Sequence, residues 1–405
     1  MSSVSVLLPV ELWLYIFRLS TISSETRKLH ATTYRPFDTT KVDAVDVAVT
    51  RTKAALVRVC KQWRAWAMEL LYEDLLLRSP KKLPQVSLHD VAAREAAASN
   101  PCVEPAHCGR WVRRACLPYC CSSTPSYRPP KALQILEQCP RLEVLVRTGP
   151  FSHPDADMRF EFSTSCPPLP ALKRLDWWHD NEAARAGGIN LLGDVLLAAP
   201  NLQYLSVGGR VHFSHVAPRP PDLPKLATLR VLQGTSVQLV GQLSRWSLPS
   251  LRHLVLDGAE PNILEFLWEA FGAQLRTIEL GESLCFAAPD ARTLARILES
   301  CPQLEELNYH VFMTAVPAPF REEEKFDTIT TVGLHAQPSS LVPQGSTEFW
   351  QQIQGHFDML YRPNLSALRK IVLYDDWDMV ANDCRYLSLI QPLLDRRVTI
   401  ERASD

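Results

Sequence analysis

The chain has 405 residues, 43 Lys and Arg against 44 Asp and Glu, a net charge of -1, and 46% apolar residues. That length fits two or three ordinary domains, or a small domain joined to a long repetitive one, and the apolar fraction excludes wholesale disorder. The balanced charge argues against a general nucleic-acid binder, and no stretch approaches the roughly 18 consecutive apolar residues of a membrane span. Proline is abundant (31) and glycine scarce (15), which suits short elements stopped at fixed points better than a glycine-rich phosphate site.

In chain order, Met1 to Ser20 is apolar but has no basic start and no small-residue cleavage site, and Pro9 and Glu11 interrupt it. It reads as structure, not as a targeting signal. Leu7 to Leu19 predicts a short helix, with Pro9 suited to a first helical position and Glu11 to the positive end of the dipole. Leu12, Ile16 and Leu19 make one stripe, Trp13 and Phe17 a second, and Leu14 and Tyr15 widen the apolar surface. Ser20 to Thr50 is polar. The partner segment is Thr52 to Leu71, where Leu56, Val59, Cys60 and Trp63 form a stripe that Trp66, Ala67 and Leu70 extend. Helices this short cannot fully cover one another, so the surplus predicts a surface that another protein covers.

Beyond residue 75 the chain repeats itself. Leu136-Glu-Gln-Cys-Pro-Arg-Leu-Glu-Val-Leu145 nearly matches Leu298-Glu-Ser-Cys-Pro-Gln-Leu-Glu-Glu-Leu307, and a looser copy runs from Leu196 to Leu205. Shorter entries are Leu169-Pro-Ala-Leu172, Leu223-Pro-Lys-Leu226 and Leu248-Pro-Ser-Leu251. Each proline leads into one frame: apolar, two free, apolar, one free, apolar. Examples are Leu172/Leu175/Trp177, Leu226/Leu229/Val231, Leu251/Leu254/Leu256, Leu304/Leu307/Tyr309, Ile329/Val332/Leu334 and Leu368/Ile371/Leu373. Weaker members are Tyr72/Leu75/Leu77, Val112/Ala115/Leu117 and Leu142/Leu145, where Arg147 takes the third place. The last two apolar positions share one face of a short strand. Between frames lie segments of helical period: Leu191 to Ala198, Val237 to Trp246, Ile263 to Phe271, Leu294 to Leu298 and Phe349 to Tyr361. A strand and a helix repeated at about 24 to 40 residues bury their apolar faces only by stacking. An ordinary α/β sheet with coincidental Leu-Pro turns is the alternative. Val316 to Gln344, Pro-rich with Glu322-Glu323-Glu324, reads as a loop or insertion.

The repeats resemble the leucine-rich repeat family in an irregular version. The front end resembles an F-box of the fungal type, on Leu8-Pro9-x-Glu11-Leu12, Ile16-Phe17, Val59-Cys60-Lys61-x-Trp63-Arg64 and Leu71-Tyr72-Glu73. Together the resemblances imply an α/β architecture. Residues 1–75 would be a helical F-box-like domain with a polar insertion at about 20–50. Residues 76–405 would be a repeat solenoid, with parallel strands on a concave face and helices on a convex one. They also imply docking onto the Skp-type adaptor of a cullin-based ubiquitin ligase through Leu8, Pro9, Leu12, Ile16 and Phe17, helped by Val59, Cys60 and Trp63. The same helices could instead only cap the first repeat.

The concave row of strand residues mixes both charges with aromatics, which suits a protein target better than nucleic acid. Trp178, Tyr204, Arg230, His253 and Tyr374 are its candidate target contacts. No nucleophile elbow, Walker loop or dinucleotide fingerprint occurs, so no enzymatic activity, cofactor or metal is expected. Val207-Gly208-Gly209-Arg210 is too short to cradle a phosphate, and Asp375-Asp376-Trp377-Asp378 reads as a solvated acidic turn. The best metal candidate, Cys102, His107, Cys108, Cys116, Cys120 and Cys121, lacks a Cys-x-x-Cys pair, and His212-Phe-Ser-His215 has no acid beside it. The 11 cysteines read as reduced thiols of a cytoplasmic or nuclear protein.

Overall fold

The structure is a computed structural model. It describes residues 8–38, 44, 46–77, 108–117, 132–147, 166–180, 191–210, 220–258, 261–281, 291–337 and 342–403, with backbone alone at 132–134, 180, 210 and 261–263. Twelve strands form a 12-stranded sheet in chain order, β1 to β12, and twelve α-helices accompany them among the described residues. No described helix is long and apolar enough to cross a membrane. The backbone divides into two compact units, residues 1–32 with 39–205 and residues 33–38 with 206–405.

The first unit opens with four helices, α1 (Val10–Ser20), α2 (Ser24–His30), α3 (Val47–Val59) and α4 (Lys61–Tyr72). The polar stretch after Ser20 therefore holds a helix of its own. Ser23 caps α2 by accepting from the Thr26 amide, and Asp46 caps α3 by accepting from the Val49 amide. Cys60 is extended, at φ -159° and ψ 170°, and its Sγ accepts from the Trp63 amide, so the second apolar segment breaks into α3 and α4 there. Strands β1 (Asp74–Leu76), β2 (Arg114–Cys116), β3 (Val144–Arg147) and β4 (Arg174–Asp180) follow, with α5 (Ala132–Glu137) and α6 (Leu192–Ala198). Their register is parallel and puts Leu75, Ala115, Leu145 and Leu175 on one rung. The weak frames thus align with the strong one. Arg147, in an apolar place, is 2% exposed, and its guanidinium lies 5.4 Å from the Trp177 ring, which gives the buried cation an aromatic face.

Strand β5 is Tyr204–Arg210. The second unit holds β6 (Thr228–Val231), α7 (Val237–Leu243), β7 (His253–Leu256), α8 (Pro261–Phe271), β8 (Thr277–Leu280), α9 (Thr293–Ser300) and β9 (Glu306–His310). It continues with β10 (Thr331–His335), α10 (Thr347–Leu360), β11 (Lys370–Tyr374), α11 (Asp378–Ala381), α12 (Arg385–Asp395) and β12 (Thr399–Arg402). Parallel pairing places Leu229, Leu254, Ile278, Leu307, Val332 and Ile371 on one rung, all 1% exposed or less. Each such side chain contributes about 1.5–3 kcal/mol through burial.

The Leu-Pro entries are turns. Leu172, Leu226 and Leu251 each donate a backbone hydrogen bond to the carbonyl three residues back, at Leu169, Leu223 and Leu248. Proline supplies the fixed φ that the second turn position needs. Neighbouring turns are tied in turn: Asn201 Nδ2 donates to the Pro170 carbonyl, and Ser250 Oγ to that of Pro224. Cys139 and Cys301, just before their prolines, are buried, and burial pushes both thiols up to about 12. They serve as small apolar groups.

Candidate functional site

The first candidate surface is α1. Its Trp13–Phe17 stripe turns inward: Phe17 is 1% exposed, with its ring 5.9 Å from Trp13 and 4.7 Å from Trp63. Ala67 and Leu70 of α4 complete this small core, and Leu56, Val57 and Trp66 pack against it. The opposite stripe has nothing over it among the described residues. Leu12, Tyr15, Ile16 and Leu19 are 47%, 61%, 42% and 52% exposed, and Val59 at the end of α3 is 59% exposed.

The expected docking residues therefore separate. Pro9, Leu12, Ile16, Val59 and Cys60 are exposed, and Leu8 and Trp63 are partly covered. Phe17 is not a surface residue: four positions from Trp13, it lies on the face that anchors α1 to α4.

The helices are also locked to the first strand. Asp74 of β1 lies 2.8 Å from His30 Nε2 of α2, 3.0 Å from Lys53 Nζ of α3 and 3.6 Å from Arg114 Nη1 of β2. Burial alone would raise the Asp74 carboxyl, but His30 and Lys53 together hold it well below the usual carboxylate range.

The second candidate surface is the strand face of the second unit that points away from the leucine rung. A row suited to a protein target is the expectation there, yet Glu279 is 3%, Asn308 0% and His310 4% exposed. The cover is the chain's own segment 33–38, Thr-Tyr-Arg-Pro-Phe-Asp, from the polar insertion. Tyr34 Oη donates to Glu279 Oε2 at 2.8 Å, and Asn308 Nδ2 donates to Tyr34 Oη at 2.7 Å. The Tyr34 ring stacks on His253, centroids 5.1 Å apart. The Phe37 amide donates to the same Glu279 oxygen at 2.7 Å. The Phe37 ring meets His310, His335 and Tyr374 at 5.1, 4.8 and 4.9 Å. Arg230 Nη1 donates to the Asp38 carbonyl at 2.6 Å, while its other nitrogens grip both oxygens of Asp257. Phe37 sits at φ 52°, the left-handed region, which costs a residue with a Cβ about 1–2 kcal/mol.

Three of the expected target contacts, Arg230, His253 and Tyr374, thus meet segment 33–38. Tyr204 lies in the first unit, 4% exposed with the Arg174 guanidinium 4.7 Å over its ring, so it is covered and not an open anchor. Arg174 in turn donates to the Ala31 carbonyl at 2.9 Å. Trp178 is partly exposed. The residues sequence reasoning missed are Tyr34, Phe37 and their acceptor Glu279. Gly333, a glycine inside a strand, marks a close approach on this face but points to none of the three. A Cβ there would collide with Asn308 Oδ1 and lie 3.0 Å from Tyr374. Gly333→Ala is expected to cost about 1–3 kcal/mol through overpacking, measured by thermal denaturation.

Among the described residues no group of His, Cys, Asp and Glu could hold a metal. Cys108 and Cys116 are buried, while Cys102, His107, Cys120, Cys121, His212 and His215 lie outside the described residues. At the acidic turn Trp377 is 1% exposed and donates to the Tyr374 carbonyl, and Asp376 accepts from the Asp378 amide. Compared with known proteins, the chain matches no family model and no curated sequence at a significant level.

Proposed function

We propose that the chain is a non-catalytic adaptor in the cytoplasm or nucleus. In this reading α1 docks onto a Skp-type adaptor of a cullin-based ubiquitin ligase, and the strand face of an irregular leucine-rich-repeat solenoid recognises a target protein. The contribution to ubiquitination is proximity: a bound target sits at high local concentration near the ubiquitin-loaded enzyme. The observation that carries the docking half is the exposed row Leu12, Tyr15, Ile16 and Leu19 on a helix whose other face is anchored by Phe17. A large apolar patch on a rigid support is what a partner covers.

Co-purification with a Skp-type adaptor tests it. Leu12→Asp and Ile16→Asp are each expected to weaken capture by about 30-fold or more, the scale of a hot-spot loss, with unchanged far-UV circular dichroism. Full capture by both variants counts against the surface.

A second reading, a non-degradative scaffold whose helices only cap the repeats, draws on the Asp74 cluster that ties α2 and α3 to β1. It expects no capture even by the native chain.

A further inference from the structure

The strand face of the second unit behaves as a binding site that already has a ligand. A merely solvated face has no use for a carboxylate, an amide and a guanidinium set to receive one six-residue segment from the far end of the sequence. Here Glu279 takes a phenol and a backbone amide, Asn308 supplies the second phenol bond, and Arg230 takes a backbone carbonyl. The two aromatic rings have separate seats, on His253 and against His310, His335 and Tyr374. Arg35, between the two aromatics, is exposed and adds nothing to the fit.

We infer that this face is a peptide-recognition site occupied in cis by residues 34–38, and that its partner in trans is a peptide with a tyrosine and, three residues on, a phenylalanine. The inference deepens the target half of the proposed function, rests on it, and does not involve α1. The seats set the chemistry of the partner. The first side chain carries both a ring and a hydroxyl, because Glu279 and Asn308 converge on Tyr34 Oη. The second is a plain aromatic, because its surround is two imidazoles and the Tyr374 ring, with His310 and His335 4.4 Å apart. Of the two intervening positions, Arg35 is exposed and sets no requirement, while Pro36 is partly buried. The left-handed Phe37 weakens the tethered segment relative to an untethered peptide that can relax. Against that, tethering gives the internal segment an effective concentration in the millimolar range, so dilute peptide does not displace it.

The probe is a fluorescein-labelled peptide of residues 31–38, Ala-Thr-Thr-Tyr-Arg-Pro-Phe-Asp, read by anisotropy against the full chain. The Tyr34→Ala/Phe37→Ala chain, its seats emptied, is expected to bind it at least tenfold more tightly than the native chain. A peptide with both aromatics replaced by alanine is expected not to bind. If the double variant melts early, Tyr34→Phe, which keeps the ring and removes only the hydroxyl, is expected to give a smaller gain over the native chain. Equal affinity for native and opened chains, or no binding by an opened chain whose circular dichroism matches the native one, overturns the inference. Adaptor capture is not read in these measurements, so failure of the docking half and failure of this site are told apart.

Discussion

Phe17→Ala is expected to destabilise the first unit by about 3–5 kcal/mol, whereas Ile16→Asp, one residue earlier, is expected to leave stability nearly unchanged. Phe17 is 1% exposed among Trp13, Trp63, Ala67 and Leu70, so truncating it opens a cavity between α1 and α4. Ile16 is 42% exposed on the opposite face, where a carboxylate stays in water. Chemical denaturation followed by tryptophan fluorescence separates them, since Trp13 and Trp63 both report on this core. Equal losses from the two variants would mean that α1 does not sit as described. The contrast also bears on docking. A partner reaching α1 meets Leu12, Ile16 and Leu19 directly, and Phe17 only through the orientation it gives the helix.

Replacing Glu279 with glutamine is expected to stabilise the protein above neutral pH. Burial pushes the Glu279 carboxyl up to about 7, against the Phe37 amide, the Arg230 charge and the Tyr34 hydroxyl, which pull it down, and with Asp257 adding to the rise. Folded Glu279 therefore keeps a proton that the unfolded chain has released from about pH 4.5 upward. Its contribution to stability is greatest below that pH and is lost as pH rises to about 7, on the order of 3 kcal/mol in all. Glutamine can still accept from Tyr34 and Phe37 and carries no charge. The stability difference between Glu279→Gln and the native chain is expected to be small at pH 5 and to grow in favour of the variant by pH 8. His310, held down to about 3 by burial and then by His335, contributes stability above pH 6.5 that is lost as pH falls. His356, lowered to about 4 by burial, has the same sign. Both act alike in the two proteins and cancel in the difference. A variant less stable than the native chain at pH 8 would show that the negative charge itself holds segment 33–38.

The leucine rungs were legible because their signal is local. Leu229, Leu254, Ile278, Leu307 and Val332 recur behind the same turn, and a period of two puts each on the inner face of its strand. The weak frames followed for the same reason, since the rung that carries Ala115 tolerates a smaller apolar group and Arg147 finds the face of Trp177. The division of labour on α1 was half legible: the two stripes are plain in the sequence, but which one meets α4 depends on tertiary packing. Segment 33–38 was not legible. Thr-Tyr-Arg-Pro-Phe-Asp has no periodicity, and even its hydrogen-bond partners lie 192 residues away, for Asp38 on Arg230, to 274, for Tyr34 on Asn308. Nor does any local rule mark Glu279 as buried, because its strand neighbours look like those of a solvated position.

That separation has a consequence for biosynthesis. The Phe37 amide is made 242 residues before the carboxylate that receives it, which at about 5–20 residues per second is a wait on the order of ten seconds to a minute. Through that interval an aromatic hexapeptide is on the nascent chain with no seat. The last strands to leave the ribosome decide when it is gathered in, so completion of the second unit and closure of its face are one late event.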